Sequence, residues 1–152
     1  MEDLPHVDEH RTEVAASVGD VWLALLDTLQ ALSSRAGVVP CARIVGCAER
    51  MASGPRPLAE GSTIPGFRVV TATPPAELVL QGRHRFSSYA LTFRLDDAGS
   101  QRSQLRAETR AAFPGIAGRI YRQLVIGTGG HAVGVRRLLA GVRRRAERSA
   151  GR

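Results

Sequence analysis

Val7 opens a run from His6 to Ala16 in which Thr12 and Val14 alternate with Arg11 and Glu13, the period-two pattern of a half-buried strand. At Ser17 the period lengthens. Val21, Trp22, Leu25, Leu29 and Leu32 recur at helical spacing through SVGDVWLALLDTLQAL, with Ser17 placed to cap the helix and Asp20 three residues on as its acidic capping partner. Gly37 is the expected stop. A second strand is predicted over Ala42 to Glu49, where Ile44, Gly46 and Ala48 alternate with Arg43, Val45 and Cys47. The stretch that follows, RMASGPRPLAEGSTIPG, carries three prolines and three glycines. That is too many for a regular interior element, and it is predicted as a mobile loop or an irregular edge.

Three strand-like runs come next, Phe67 to Thr73, Glu77 to Arg85 and Phe86 to Asp96, and a fourth, Gln104 to Phe113, follows the turn DDAGSQRS. Connections this short allow only antiparallel pairing, because parallel neighbours need crossover segments that the chain has no room for. From Pro114 to Ser149 the pattern is helical, with Ile116, Ile120, Leu124, Gly127, His131, Gly134, Leu138 and Val142 on one face. The order is strand, helix, meander and a long final helix, an α+β arrangement. No internal repeat or linker divides it, so residues 1–152 are expected to form one domain.

Within the final helix, GTGGHAVG has the look of a phosphate loop. Such a loop needs a strand before it and a helix after it. Here the preceding AGRIYRQLVI continues the helix, and the chain has no lysine for a Walker motif. A nucleotide cofactor is therefore not expected. The glycines at 127, 129, 130 and 134 disfavour helix by roughly 1 kcal/mol each against alanine, so either the helix kinks there or its backbone comes close to something. His131 falls among them on the face predicted to meet the sheet.

Charge alters this picture little. All 21 basic residues are arginine and the net charge is +7, but residues 1–100 carry 9 Arg against 12 acids, while residues 101–152 carry 12 Arg against 2. The excess lies in the last third, most densely from about 136 to 152, where cations suit a helix C-terminus. No aromatic side chain interleaves with these arginines to stack on bases, and a nucleic-acid partner is not expected. The two cysteines, Cys41 and Cys47, have neither redox nor zinc spacing, and no disulfide is expected. In HVDEH, His6 and His10 would share one strand face about 13 Å apart, which does not suit a metal. The acidic start, without an apolar leader or a membrane-length apolar run, leads to an expected cytoplasmic address.

With HRTEVAASVGDVWLALLD near the start, FRVVTATPPAELVLQG in the middle and a long helix at the end, the chain resembles the START/polyketide cyclase-like superfamily, often abbreviated SRPBCC, which includes the birch pollen allergen. The resemblance covers nearly the whole chain. Its most telling pieces are Val14 to Ser17 leading into Val21-Trp22, and TPPAELVL from Thr73 to Leu80. It implies a helix-grip fold, in which a curved antiparallel sheet wraps a long C-terminal helix around an internal apolar cavity. It also implies a hydrophobic or aromatic small-molecule ligand, lipids included. The superfamily spans binders, transporters and cyclases, and fold alone does not choose among them.

Within such a cavity His131 is the first candidate for chemistry, because a neutral imidazole there could move a proton in an enolisation or a dehydration. His84 and Tyr89 are the others, as polar groups on faces shared with Leu80 and with Leu91 and Phe93 respectively. Thr109 follows an inward pattern with Leu105, Ala107 and Ala111. Tyr121, about 80° around the helix from His131, and Trp22 complete the ligand-binding candidates, together with Gly127 and Gly134, which leave room beside the helix. The primary expectation is binding of a hydrophobic small molecule. An alternative is a cyclase, aromatase or dehydratase working through His131, His84 and Tyr89. A second alternative is an interaction protein using its basic end, and the sequence leaves a homodimer open.

Overall fold

The computed structural model describes residues 4–35, 46–49 and 51–152. The alternating segments form six strands: β1 (His6–Val14), β2 (Thr63–Ile64), β3 (Phe67–Thr73), β4 (Glu77–His84), β5 (Ser87–Gly99) and β6 (Arg102–Ala112). All pair antiparallel in one curved sheet, in the order β1-β6-β5-β4-β3-β2. The proline-rich stretch is an irregular edge, since β2 and a bridge between Ser53 and Thr63 lie within it. Most of the strand predicted from Ala42, and Cys41 with it, lies outside the described residues.

One face of the sheet is apolar and the other charged. Leu78, Leu80, Phe93, Leu105 and Ala107 are fully buried on the inner face. Between them on the outer face, Arg94 meets Glu77 at 3.2 Å and Arg106 meets Asp96 at 2.9 Å. Exposed pairs of this kind contribute little stability; the register is held by the apolar side chains, since a one-residue slip would turn all of them outward.

α1 (Val18–Ser33) starts where Ser17 Oγ accepts the Asp20 N–H at 3.2 Å, and it buries Val21, Trp22, Leu25 and Leu29. The long helix predicted from Pro114 is not continuous. It consists of α2 (Gly115–Arg122), a single π turn (Gln123–Gly127) and, after Gly129 in the left-handed conformation at φ +78°, α3 (Gly130–Ala150). Only glycine takes such a φ without strain, and the glycines therefore kink the helix.

The break resets the helical phase. Val135, Leu139, Val142 and Ala146 of α3 are buried against α1 and the inner sheet face, and His131 continues that stripe one turn earlier. Ile116, Ile120 and Leu124, expected on the same stripe, are exposed instead, because α2 turns Gly118 and Tyr121 inward. At the other end of α3, Glu147 accepts the Ala15 N–H at 3.0 Å and Arg143 at 3.1 Å, fastening the helix beside the end of β1. A 21-residue helix held against a curved antiparallel sheet is the helix-grip arrangement. Among the described residues, no helix is long and apolar enough to cross a membrane.

Gly82 of β4 marks the closest approach in the sheet. A Cβ there would overlap the Gly66 carbonyl oxygen and lie 2.6 Å from Tyr89 Cε2. Gly82→Ala is expected to destabilise the protein by about 3 kcal/mol, the upper end of overpacking costs; a thermal melt within 2 °C of wild type would contradict this reading.

Candidate functional site

The inner face changes character along its length. Around Leu80, Phe93 and Leu105 it is closed, filled by α1 and α3. Four residues further along the strands, about 13 Å, apolar packing gives way to polar and aromatic groups at His84, Tyr89 and Thr109. Here the α2–α3 junction lies over the sheet.

On the β1–β6 side these groups form a polar knot. His131, in the first turn of α3, sets its Nε2 3.0 Å from Thr109 Oγ1 on β6 and 3.5 Å from Asp8 Oδ1 on β1. The other carboxylate oxygen, Asp8 Oδ2, lies 3.2 Å from His10 Nε2. Asp8 Oδ1 is buried and has no hydrogen bond among the described residues, and it faces the imidazole of His131. These side chains are neither sealed nor free, with 22% of His131, 25% of Asp8 and 17% of His10 exposed. Solvent therefore reaches them.

A bulge in β1 brings Asp8 and His10 to the knot. His6 pairs with Arg110 but Asp8 pairs with Thr109, so the register slips at Val7. An extra residue turns the strand's side chains over. His6 therefore points outward to Glu108, at 3.3 Å, and His10 inward. The expectation that the two histidines share a face is overturned for this reason. Asp8 and His10 are the functional candidates that the sequence reading missed; the alternation from His10 through Thr12 to Val14, carried back from the buried end, was the signal that could have found them. No group of three or more His, Cys, Asp or Glu side chains suited to holding a metal occurs among the described residues.

The β4–β5 side is an aromatic wall. The His84 ring meets Tyr121 edge-on at 4.7 Å, Tyr121 stacks on Phe86 at 5.4 Å, and Phe113 lies 6.3 Å from Tyr121. His84 Nδ1 accepts the Phe86 N–H at 3.1 Å, which leaves the ring's other nitrogen to carry the proton in the neutral form. Tyr89 donates its hydroxyl to the Gly66 carbonyl at 2.6 Å, and burial pushes its phenol far above the usual tyrosine value. It is placed as a staple for the β2–β3 turn.

The structure thus brings His131 and Thr109 together on one side of this end, and His84, Tyr89 and Tyr121 on the other. Trp22, Leu80, Leu91 and Phe93 lie in the closed core. Gly127 and Gly134 are not on the sheet-facing stripe. Gly127 packs beside the Gln123 side chain, and Gly134 faces the groove between α1 and α3.

No family model matches the chain, and no curated protein matches it. Solved structures do. The Zhui aromatase/cyclase from Streptomyces sp. R1128 superposes with a TM-score of 0.60 at 16% identity, covering 95% of this chain and 94% of that one. Norcoclaurine synthase from Thalictrum flavum, in complex with dopamine and hydroxybenzaldehyde, gives 0.52 at 16% identity over 88% and 85% of the two chains. CalU16 from Micromonospora echinospora gives 0.52 at 15% over 97% and 93%. At this identity, what the chains share is the fold, the helix-grip arrangement.

The aromatic wall has a pH signature. Burial holds the His84 imidazole below its usual value of 6.5, so the unfolded chain takes up a proton that the folded chain resists. Stability is therefore expected to be full above about pH 6.5 and to fall as the pH drops below it. His84→Phe keeps a ring in the wall and should flatten that part of the profile; an unchanged slope in denaturant melts between pH 7 and 5 would count against it.

Proposed function

We propose that the protein binds a small, largely apolar or aromatic molecule at the open end between the sheet and the α2–α3 junction, on the helix-grip fold that it shares with an aromatase/cyclase and with a synthase holding two aromatic compounds. The observation that carries this is the side-by-side placement of the aromatic wall and the polar knot. A site of this kind needs apolar surface for affinity and a few fixed polar groups for orientation. Tyr121, Phe86 and Phe113 offer the first, and His131 with Thr109 the second.

Asp8 favours a second reading, acid–base catalysis. When Nε2–H of His131 is directed at Thr109 Oγ1 and the Asp8 carboxylate, Nδ1 keeps its lone pair and has no partner among the described residues. Such an imidazole can take a proton from the carbon beside a carbonyl, leaving the bond's electrons in the enolate, and can return a proton to carbon or to a leaving oxygen. Asp8 would hold the tautomer and offset the imidazolium charge, which makes it a positioning residue, and His10 would steady Asp8 from the other side. The expected chemistry is enolisation or dehydration, with no step that calls for a metal or a nucleotide.

Native mass spectrometry of the purified protein tests the binding reading by weighing any small molecule that co-purifies. Proton exchange tests both readings with a defined probe. In deuterated buffer the protein is expected to speed loss of the α-proton signals of 2-tetralone. His131→Ala should cut that rate by about 100-fold or more, in line with the loss of a general base, and Asp8→Asn by about tenfold. Saturable tetralone binding with no exchange would leave the binding reading standing and remove the catalytic one; no saturable binding, with no co-purified ligand, would sink both.

A further inference from the structure

The C-terminal helix has a second face, turned away from the site above. Between α1 and α3 runs a groove of about 710 Å³, within the size range of small-molecule sites. Five arginines line it, Arg35 at the end of α1 and Arg137, Arg144, Arg145 and Arg148 on α3, and no acidic residue joins them among the described residues. The one acid on α3, Glu147, is engaged by Arg143 and the Ala15 N–H. None of the five lining arginines forms an ion pair with a described acid. Like charges gathered along one groove repel, and an anion placed among them relieves that repulsion.

The floor differs from the rim. Leu32 and Leu138 are half-buried there, beside Ala31 and Ala140. Gly134 and Gly141 contribute no side chains. A Cβ at Gly141 would lie 3.7 Å from Thr28 Cγ2, an ordinary packing contact, but at Gly134 it would meet nothing within 4 Å. Gly134 therefore gives up helix propensity without a packing reason, and its effect is to keep the floor open. Arg137, Arg144 and Arg148 recur at helical spacing along the same edge, so their guanidiniums line one side of the opening.

We propose that this groove binds a free amphiphilic anion, an organic phosphate with an apolar tail. Guanidiniums hold phosphate oxygens by paired, charge-assisted hydrogen bonds, and the apolar floor takes the tail. The concave shape favours a single molecule over a bilayer surface, which would meet only the outer arginines.

Titration calorimetry of the full chain with dodecyl phosphate, kept below its micelle concentration, is expected to show saturable binding that weakens as salt rises. Arg144→Glu combined with Arg148→Glu should weaken it at least tenfold. The same charge change on α2, Arg119→Glu with Arg122→Glu, should leave it within twofold. Gly134→Leu, which gains helix propensity while filling the floor, should also weaken it at least tenfold, with circular dichroism confirming the fold. Amide resonances of Gly134 and Gly141 should move on titration, and that of Thr109 should not. Equal losses for the two charge-reversed pairs, full binding by Gly134→Leu, shifts at Thr109 in place of Gly134, or binding only to phosphatidylglycerol vesicles would each overturn the proposal.

Discussion

Gly129 ends one helix and begins another, and the phase change it introduces decides which residues of α3 meet the sheet. Its φ of +78° is a conformation that a side chain would strain. Beyond it, Val135, Leu139, Val142 and Ala146 form the stripe that the inner sheet face grips, and His131 lies at the head of that stripe. Without the break, the apolar pattern of α2 would run on in phase, Gly134 and Leu138 would sit on the sheet-facing stripe beside His131, and Val135, Leu139 and Ala146 would be turned toward its edge. The residues that the sheet grips thus depend on this one backbone feature.

Closing one end of the fold and leaving the other partly open divides the work of the inner face. The closed end supplies most of the apolar burial, with Leu25, Leu78, Leu80, Phe93 and Leu105 all shut off from solvent. That stability supports less favourable placements elsewhere: a carboxylate oxygen of Asp8 without a hydrogen bond, and two histidines beside it. A buried polar atom lacking a partner is costly, and the apolar burial at the closed end offsets that cost.

The elements and their order could be read from the sequence because each carries a long-range period. Alternation along β4, β5 and β6 puts Leu78, Leu91 and Leu105 on the buried side, as observed. The site was only partly legible. His131 and Thr109 could be assigned to inward faces from periodicity alone. Asp8 and His10 could not, because one extra residue at Val7 reverses the faces of β1, and a bulge leaves no mark on composition. Gly134 was misplaced for a related reason, since a phase carried through an unbroken helix fails beyond a break. Tyr89 read as a chemical group, yet its hydroxyl is committed to the Gly66 carbonyl across the sheet, a contact 23 residues away in sequence.

By itself the sequence determined the fold class, the faces of β4, β5 and β6, the cap at Ser17 and the concentration of arginine on the last helix, since all of these follow from spacing and composition along the chain. Only the tertiary structure decided what those elements bring together: Asp8 and His10 from one edge strand, Thr109 from its neighbour, and His131 from a helix that starts at a left-handed glycine. The arginines and the open floor of the α1–α3 groove are likewise a product of packing. Contacts between elements depend on register slips and helix phase, and a single residue is enough to change either.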